Sequence, residues 1–261
     1  ACTQNPQGAR DAVATELGMP VEKVKMNVTL LGGGFGRKSK PDFILEAAIL
    51  AKESGLPIKV QWTREDDIRH DYYHALSVQR IVATIDNQNK LSGWAHHIAN
   101  PSISATEDLS VVQPSDGELM LGASDFPYNV PAINIVTHDA KAHLRIGWLR
   151  SVRNIPQVFA AATMLDEIAE ARGLDAVYNA LELLGDDRHI TFEQELIKTS
   201  YPNYGEKIED YPWDTARMKQ VIKRVAKESG WGKSMPAGSA LGFAAHKSFL
   251  TYVACVVEVN V

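Results

Sequence analysis

The sequence is poor in cysteine: its 261 residues contain only Cys2 and Cys255. Two thiols cannot form a paired-cysteine zinc site or hold an iron–sulfur cluster, which takes about four thiolates. Whether the two could form a disulfide depends on a distance that the sequence does not give. We therefore expect one free thiol near the terminus and one buried thiol.

Long apolar runs and an excess of basic residues are also missing. No stretch approaches the ~18 apolar residues of a membrane helix, and a net charge of −5 is unlike the basic surface of a nucleic-acid-binding protein. We expect neither a membrane span nor a nucleic-acid partner. The chain begins without Met and ends in an apparent strand, so we expect a piece of a longer protein. Periplasm and cytoplasm both stay open, because a targeting segment would precede it.

Hydrophobic periodicity and capping residues predict alternating helices and strands. Helices are predicted over residues 6–17, 42–54, 158–172, 175–184 and 215–229. Strands are predicted over residues 24–30, 57–62, 77–85, 91–98 and 133–137, with two more after Ser239. The helix over 42–54 is apolar on nearly every side, which predicts deep burial. Residues 101–131 read as a long loop.

This order predicts an α+β fold in which mixed sheets are layered with helices. The composition becomes polar between residues 186 and 214. We therefore predict one region over residues 1–185 and a second over residues 186–261, which contains a helix and the start of a further sheet.

A glycine-rich loop follows the predicted strand over residues 24–30. Four of the five residues from Gly32 to Gly36 are glycine, and Arg37 and Lys38 follow directly. Glycines let the backbone approach a ligand closely, and consecutive N–H groups can hold an anion. With Phe35 inside the loop and two cations after it, the pattern favours a cofactor site over a tight turn without a ligand.

Two familiar phosphate motifs do not fit this loop. A P-loop needs glycine directly before Lys-Ser or Lys-Thr, but Arg37 stands before Lys38. The dinucleotide fingerprint requires a third glycine at a position that is not glycine here. A module that binds a nucleotide or phosphate without redox chemistry is nevertheless the alternative hypothesis for the 32–36 loop.

The other charged and imidazole groups are interpreted structurally. Asp66 and Asp67 resemble residues that cap or solvate a turn. The eight histidines are scattered, so we expect them to be structural or surface residues rather than metal ligands.

Several motifs in the same order resemble the molybdenum-binding subunit of the xanthine dehydrogenase and aldehyde oxidase family, with the isoquinoline 1-oxidoreductase beta subunit as the nearest branch. They are Thr3-Gln4-Asn5-Pro6, Gly32-Gly33-Gly34-Phe35-Gly36-Arg37-Lys38, Trp62-Thr63-Arg64-Glu65-Asp66-Asp67, His70-Asp71-Tyr72-Tyr73, Gly147-Trp148-Leu149-Arg150-Ser151-Val152, Met164-Leu165-Asp166-Glu167-Ile168-Ala169 and Ala244-Ala245-His246-Lys247-Ser248-Phe249. Together they cover most of the chain.

The resemblance implies a fold, a cofactor and partners. It implies the fold of the molybdenum-cofactor-binding domain, with molybdenum held by a molybdopterin, in bacteria often the cytosine dinucleotide form. The implied reaction oxidises N-heteroaromatic compounds or aldehydes with water as the oxygen source. Electrons leave to a small 2Fe-2S subunit and a downstream acceptor. A purely structural domain that packs against an iron–sulfur partner is a third hypothesis.

The resemblance also assigns roles to individual residues. Gln4 matches the family glutamine whose amide faces an oxygen on the metal, and Gly33, Gly34, Phe35, Gly36 and Arg37 match the cofactor-binding loop. Arg150 matches an arginine near the substrate, where a planar donor can stabilise developing negative charge. Arg153 is the candidate if the alignment is shifted. No direct metal ligand from the protein is expected.

The family's catalytic base is a glutamate in a Gly-Glu-Pro segment, and the sequence contains no such segment. Glu258 lies in an apolar run and does not match it. We therefore predict that the 261-residue chain alone does not oxidise a heteroaromatic substrate in the presence of a dye acceptor. Turnover above the background rate would contradict this prediction.

Overall fold

A computed structural model describes residues 1–142, 144–192 and 201–261. Its helices are α1 (Pro6–Leu17), α2 (Asp42–Ser54), α3 (Arg64–His70), α4 (Asp116–Leu119), α5 (Asn154–Arg172), α6 (Ala176–Leu184) and α7 (Thr215–Ser229). Its strands are β1 (Val78–Ile85), β2 (Leu91–Ala99), β3 (Ala132–His138), β4 (His189–Ile190), β5 (Trp213–Asp214), β6 (Ser239–Ser248) and β7 (Thr251–Asn260). Short 3₁₀ turns cover Val21–Lys23, Arg37–Ser39, Ile103–Thr106 and Asn203–Gly205.

The long helices begin and end at the capping residues in the sequence. The side chain of Asn5 accepts a hydrogen bond from the Gly8 N–H at the start of α1, and Gly18 ends that helix in the left-handed conformation. Asp214 caps α7 in the same way. The predicted helices are confirmed, although α5 begins at Asn154 rather than at residue 158.

The chain divides into two compact units. The first consists of Ala1–Ala75, Ala105–Leu109 and Ala142–Val152, and the second of Leu76–Ser104, Ser110–Lys141 and Arg153–Val261. The division at residue 185 remains a prediction. Part of the polar stretch between residues 186 and 214, namely residues 193–200, lies outside the described residues.

In the first unit, two predicted strands are wrong. Residues 24–30 and 57–62 form no strand. A strand exists only when a neighbour completes its hydrogen-bond ladder. The hydrogen bonds of residues 24–30 are isolated instead: the Thr29 N–H donates to the Ala1 carbonyl at 3.1 Å, and the Val24 carbonyl accepts from Arg10 Nε at 2.9 Å. Their alternating pattern therefore buries little, and Leu30 is 100% exposed.

The predicted deep burial of α2 is also wrong. None of its thirteen residues is buried, and Leu50 is exposed. The helix packs against α1, and neighbours that would cover its other apolar faces are not found among the described residues. Sequence hydrophobicity thus described the helix correctly but not its surroundings.

The second unit is built on a three-stranded sheet in the order β1–β2–β3. β1 and β2 are antiparallel and form a hairpin, and β3 runs parallel to β2. Helix α5 lies beside β1. Seven buried side chains form the core between the sheet and the helices: Leu91, Trp94, Phe126, Ala161, Leu165, Ile168 and Leu183.

A second core of the same unit joins α6 and α7 to the β6–β7 hairpin. Trp213, Leu184 and Ile222 are almost fully buried in it, and Phe243 and Tyr252 from the hairpin pack against it. Cys255, which was predicted to be buried, is exposed on β7 because it faces away from α7, and both cysteines are free.

The turn of the β6–β7 hairpin is strained. Phe249 and Leu250 have φ angles of 47° and 64°, in the left-handed region. Tight hairpin turns favour asparagine and glycine at such positions, because a Cβ makes this conformation costly.

We predict that Leu250→Gly is more stable than Leu250→Ala. Both variants remove the leucine side chain, but only glycine also removes the Cβ that strains the turn. The expected difference in the free energy of unfolding is about 1 kcal/mol, measured by urea denaturation. At an unstrained position alanine would be the more stable residue, so equal stability or the opposite order would contradict the prediction.

Candidate functional site

The site begins with the backbone of the glycine-rich loop. Gly32, Phe35 and Gly36 have φ angles of 67°, 51° and 80°. Glycine adopts this region without cost, but phenylalanine does so only under constraint. The Phe35 side chain is 60% exposed, so burial of its ring does not explain the conformation. Strained residues of this kind concentrate at binding and catalytic sites.

Gln4 is fixed against the loop by both its backbone and its side chain. Its N–H donates to the Lys38 carbonyl at 2.9 Å, and its Oε1 accepts from the Gly36 N–H at 2.9 Å. The Nε2 group of the same amide keeps its two N–H donors, for which the described residues provide no acceptor. Gln4 therefore presents donors beside the loop.

Two glycines of the loop stand where a Cβ would overlap a neighbouring atom. A Cβ at Gly34 would lie 2.3 Å from Gln4 Oε1, and a Cβ at Gly36 would lie 1.1 Å from the carbonyl oxygen of Trp148. Real Cβ atoms do not approach other atoms so closely. The first contact involves a side chain that can move, whereas the second involves backbone.

Arg150 approaches the loop from the far end of the first unit's sequence. Its N–H donates to the Phe35 carbonyl at 2.9 Å, and its guanidinium lies over the Phe35 ring, 5.2 Å from the centroid. The residues after it, Ser151 and Val152, have φ angles of 68° and 47°. Both segments that meet at this contact thus have residues in the left-handed region. This conformation is rare for a β-branched residue such as Val152.

The loop also presents backbone donors. The Gly33 N–H donates to the Leu31 carbonyl at 2.7 Å, and the Phe35 ring lies close to the Gly33 Cα. The next two N–H groups, those of Gly34 and Phe35, have no acceptor within the described part of the chain. The loop therefore carries two adjacent backbone donors. The Gln4 amide and the Arg150 guanidinium contact the same loop.

Arg37 is the predicted site residue whose side chain lies apart from this group. It is only 9% exposed. Its Nη1 and Nη2 donate to the two carboxylate oxygens of Asp42 at 2.8 and 2.9 Å, and its Nε forms an ion pair with Asp71. Burial alone would lower the pKa of Arg37, but the hydrogen bond to Asp42 and the charges of both carboxylates raise it. Its guanidinium is thus directed at protein carboxylates rather than at the loop.

Lys38, the other cation after the loop, also faces the protein. Its Nζ lies 4.3 Å from the centroid of the Phe43 ring, in a cation–π contact. The charges that suggested phosphate binding are thus engaged with the protein.

The remaining candidates have structural roles. Asp66 forms a capping box with Thr63 at the start of α3, as predicted. Arg153 is buried against Glu118 at 2.6 Å in the second unit, so the contact with Phe35 belongs to Arg150. Groups of three or more potential metal ligands are not found among the described residues, which do not include His143.

Large pKa shifts occur in the second unit as well. Burial raises the pKa of Asp125 to about 7 and lowers that of Lys247 to about 8; each residue is 2% exposed. Burial can shift the pKa of a charged group in this way without any role in function. Sequence analysis assigned no role to either residue, because their burial depends on contacts that are distant in sequence.

Sequence analysis also assigned no role to the residues that contact Gly36 and bind Arg37. The Trp148 carbonyl contacts Gly36, and Asp42 and Asp71 bind Arg37. A backbone carbonyl leaves no trace in the sequence. Asp42, just after Pro41 at a helix start, resembles an ordinary first-turn acidic residue.

Solved structures establish the fold. The chain matches the aldehyde oxidoreductase from Desulfovibrio gigas with a TM-score of 0.68 and 13% identity, covering 93% of this chain and 26% of that one. It matches quinoline 2-oxidoreductase from Pseudomonas putida 86 with a TM-score of 0.58 and 18% identity, covering 94% and 31%. The predicted α+β fold class is confirmed.

Residues 1–178 match the family model described as molybdopterin cofactor-binding domain, and the chain belongs to this family. The predicted family membership is thereby confirmed.

Two curated relatives extend over nearly the whole chain. A membrane-bound aldehyde dehydrogenase named for pyrroloquinoline quinone, from Gluconacetobacter polyoxogenes, is 29% identical over 95% of this chain. The isoquinoline 1-oxidoreductase subunit beta from Brevundimonas diminuta is 26% identical over 99%. The matches cover 32% and 30% of these relatives, so the chain spans about a third of their length.

We predict that Gly34→Ala displaces the Gln4 amide from the loop. The new Cβ would overlap Gln4 Oε1, which then can no longer accept from the Gly36 N–H. Amide hydrogen exchange at Gly36, followed by NMR, should become faster while the helices keep their protection.

The matched control is Gly242→Ala on β6, where a Cβ would meet no atom within 4 Å. Unchanged exchange at Gly36 in the Gly34 variant would show that Gln4 is not held as described.

Proposed function

We propose that this chain is a fragment of the molybdopterin-binding subunit of a molybdenum hydroxylase. The whole subunit would oxidise N-heteroaromatic compounds or aldehydes, with water as the oxygen source. The observation that supports this most strongly is the convergence of Gln4, the 34–36 backbone and Arg150 around Phe35, at two hydrogen bonds of 2.9 Å. These segments are distant in sequence, and a tight turn without a ligand would not need to assemble them.

The residues present fit the proposed cofactor. The absence of Cβ atoms at Gly34 and Gly36 lets Gln4 and Trp148 approach the loop closely, and the adjacent N–H groups of Gly34 and Phe35 are suited to electronegative atoms of a bound group. Carboxylates, which would repel an anionic cofactor, are not among the described residues that form the loop. When bound, a molybdopterin supplies a metal centre that takes two electrons from the substrate.

Each residue of the loop would have a separate task. The Gln4 Nε2 group would donate to a cofactor atom, and its Oε1 would keep its orientation by accepting from Gly36. The N–H groups of Gly34 and Phe35 would bind the cofactor from the loop side. Gly33 and Arg37 would both act through their main chains. Gly33 lies inside the loop, and Arg37 follows it directly.

Arg150 would act on the substrate. Its guanidinium is held over the Phe35 ring, so it is oriented before substrate binds, and it can stabilise negative charge that develops on a carbonyl oxygen or ring nitrogen. A proton acceptor for the reaction is not assigned, since the sequence has no Gly-Glu-Pro segment. For this reason the chain by itself is proposed to lack turnover.

The finer parts of the proposal concern the cofactor form and the partners. The cofactor is proposed to be the cytosine dinucleotide form, and electrons are proposed to pass to a small 2Fe-2S subunit and a further acceptor. The two regions over residues 1–185 and 186–261 would be the first half of the cofactor cradle and the start of the second. None of the helices in the described residues is long and apolar enough to cross a membrane.

The test is the cofactor content of the complete subunit, purified with its partner from a host that makes molybdenum cofactor. We expect about one molybdenum and one pterin per subunit, and release of cytidine monophosphate on acid hydrolysis. Guanosine monophosphate in its place would overturn only the dinucleotide assignment. A protein that lacks molybdenum but is stabilised by nucleotides or phosphate in a thermal shift assay would instead support the phosphate-binding alternative.

The role of Arg150 is tested in the same preparation. Arg150→Met should lower kcat/KM by about a hundredfold to a thousandfold, the usual effect of removing one donor to developing charge, with molybdenum content unchanged. Arg64→Met is the matched control, because Arg64 is an exposed arginine of the same unit that pairs only with Asp67 in the described chain. Equal losses in both variants would contradict the assignment.

A further inference from the structure

The buried side chain of Arg37 stands next to the site without being directed at it. It binds both oxygens of Asp42, at the start of α2, and also Asp71. Two carboxylates around one guanidinium leave an excess negative charge, which Arg145 balances, with its Nη1 3.9 Å from Asp42. Four charged groups with a net charge of zero thus form one cluster, named here the Arg37 cluster.

Tyr72 lies at the centre of the Arg37 cluster. The guanidinium groups of Arg37 and Arg145 lie 5.3 and 5.0 Å from the centroid of its ring. The rings of Phe43 and Trp62 lie 5.7 and 5.8 Å from Arg37. Cation–π contacts of this kind grow stronger when water is excluded, so Arg37 is held by both charge and aromatic rings.

The segment that contains Asp71 and Tyr72 is paired with the segment that leads to Arg150. The Tyr73 N–H donates to the Arg145 carbonyl at 2.9 Å, and the Gly147 N–H donates to the Tyr73 carbonyl at 3.2 Å. A Cβ at Gly147 would lie 2.9 Å from the Cβ of Tyr72. The 145–147 segment therefore follows any movement of residues 71–73.

These contacts close a ring. From Arg37 the connection runs through Asp71 to residues 72–73, then across to residues 145–147, and along the chain to Trp148 and Arg150. Trp148 and Arg150 return to Gly36 and Phe35, the residues just before Arg37. The contact between Phe35 and Arg150 is thus one side of this ring of contacts, and the Arg37 cluster is the opposite side.

We infer that the Arg37 side chain is a positioning group, which fixes the 32–36 loop against the segment that carries Arg150. A lysine could supply the charge but not the two parallel hydrogen bonds to Asp42 together with the contact to Asp71. The catalytic consequence of this positioning rests on the proposed function. The positioning itself does not, because every group in the ring belongs to this chain.

The first test uses the 261-residue chain without cofactor. In Arg37→Met and Arg37→Lys, amide hydrogen exchange at Arg150, whose N–H binds the Phe35 carbonyl, should become at least tenfold faster. Exchange in α1 of the same unit should stay slow. Arg64→Met is the control and should change neither. Unchanged exchange at Arg150 in both Arg37 variants would overturn the inference, and so would equal acceleration in α1, which indicates general loss of stability.

A milder change covers the case in which the Arg37 variants do not fold. Asp71→Asn keeps the shape of the side chain and leaves the Arg37–Asp42 pair intact, but removes one charge of the cluster. It should also accelerate exchange at Arg150, by less than Arg37→Met. Exchange at the wild-type rate in a folded Asp71→Asn chain would contradict the ring of contacts.

The second test uses the complete subunit loaded with cofactor. Arg37→Lys should lower kcat more than it changes KM and should alter the electron paramagnetic resonance signal of the reduced metal, because the loop that would hold the cofactor has moved. Arg64→Met should alter neither. If the subunit binds no molybdenum, the proposed function fails, while the exchange experiment still decides the inference on Arg37.

Discussion

The site depends on how closely the backbone at Gly36 approaches the carbonyl oxygen of Trp148. No side chain other than hydrogen fits between them, since even a Cβ would lie 1.1 Å from that oxygen. This contact places Arg150 next to Phe35, and its N–H completes the hydrogen bond to the Phe35 carbonyl. Glycine is therefore needed here for the approach of one protein segment to another, and not only for the approach of a ligand.

The local part of the structure could be predicted from the sequence. Helices such as α1 and α7 carry their own periodicity and caps, and the β1–β2 hairpin has its partner strand a few residues away. The strands over residues 24–30 and 57–62 failed because alternation shows only that a segment suits a sheet. Whether a neighbouring strand exists is a non-local fact.

The site could be predicted only in part, and for a related reason. The glycine-rich loop suggested a bare backbone by its composition alone. Gln4 and Arg150 have no local signature, and the family resemblance singled them out. The structure brings both to the loop, which agrees with that resemblance, while their roles in catalysis are proposals. The partners of Arg37 were missed, because the sequence shows a cation after a glycine loop in the same way whether it faces a ligand or a buried carboxylate.

The backbone strain and the buried charge cluster are connected. Phe35, Ser151 and Val152 adopt a conformation that costs an L-amino acid roughly 1–2 kcal/mol. Such a conformation persists only when its surroundings determine it. A single hydrogen bond between Arg150 and Phe35 contributes about as much free energy as one strained residue costs. It therefore cannot offset the cost of three strained residues. The ring that passes through Arg37, Asp71 and Tyr72 supplies further contacts that offset this cost.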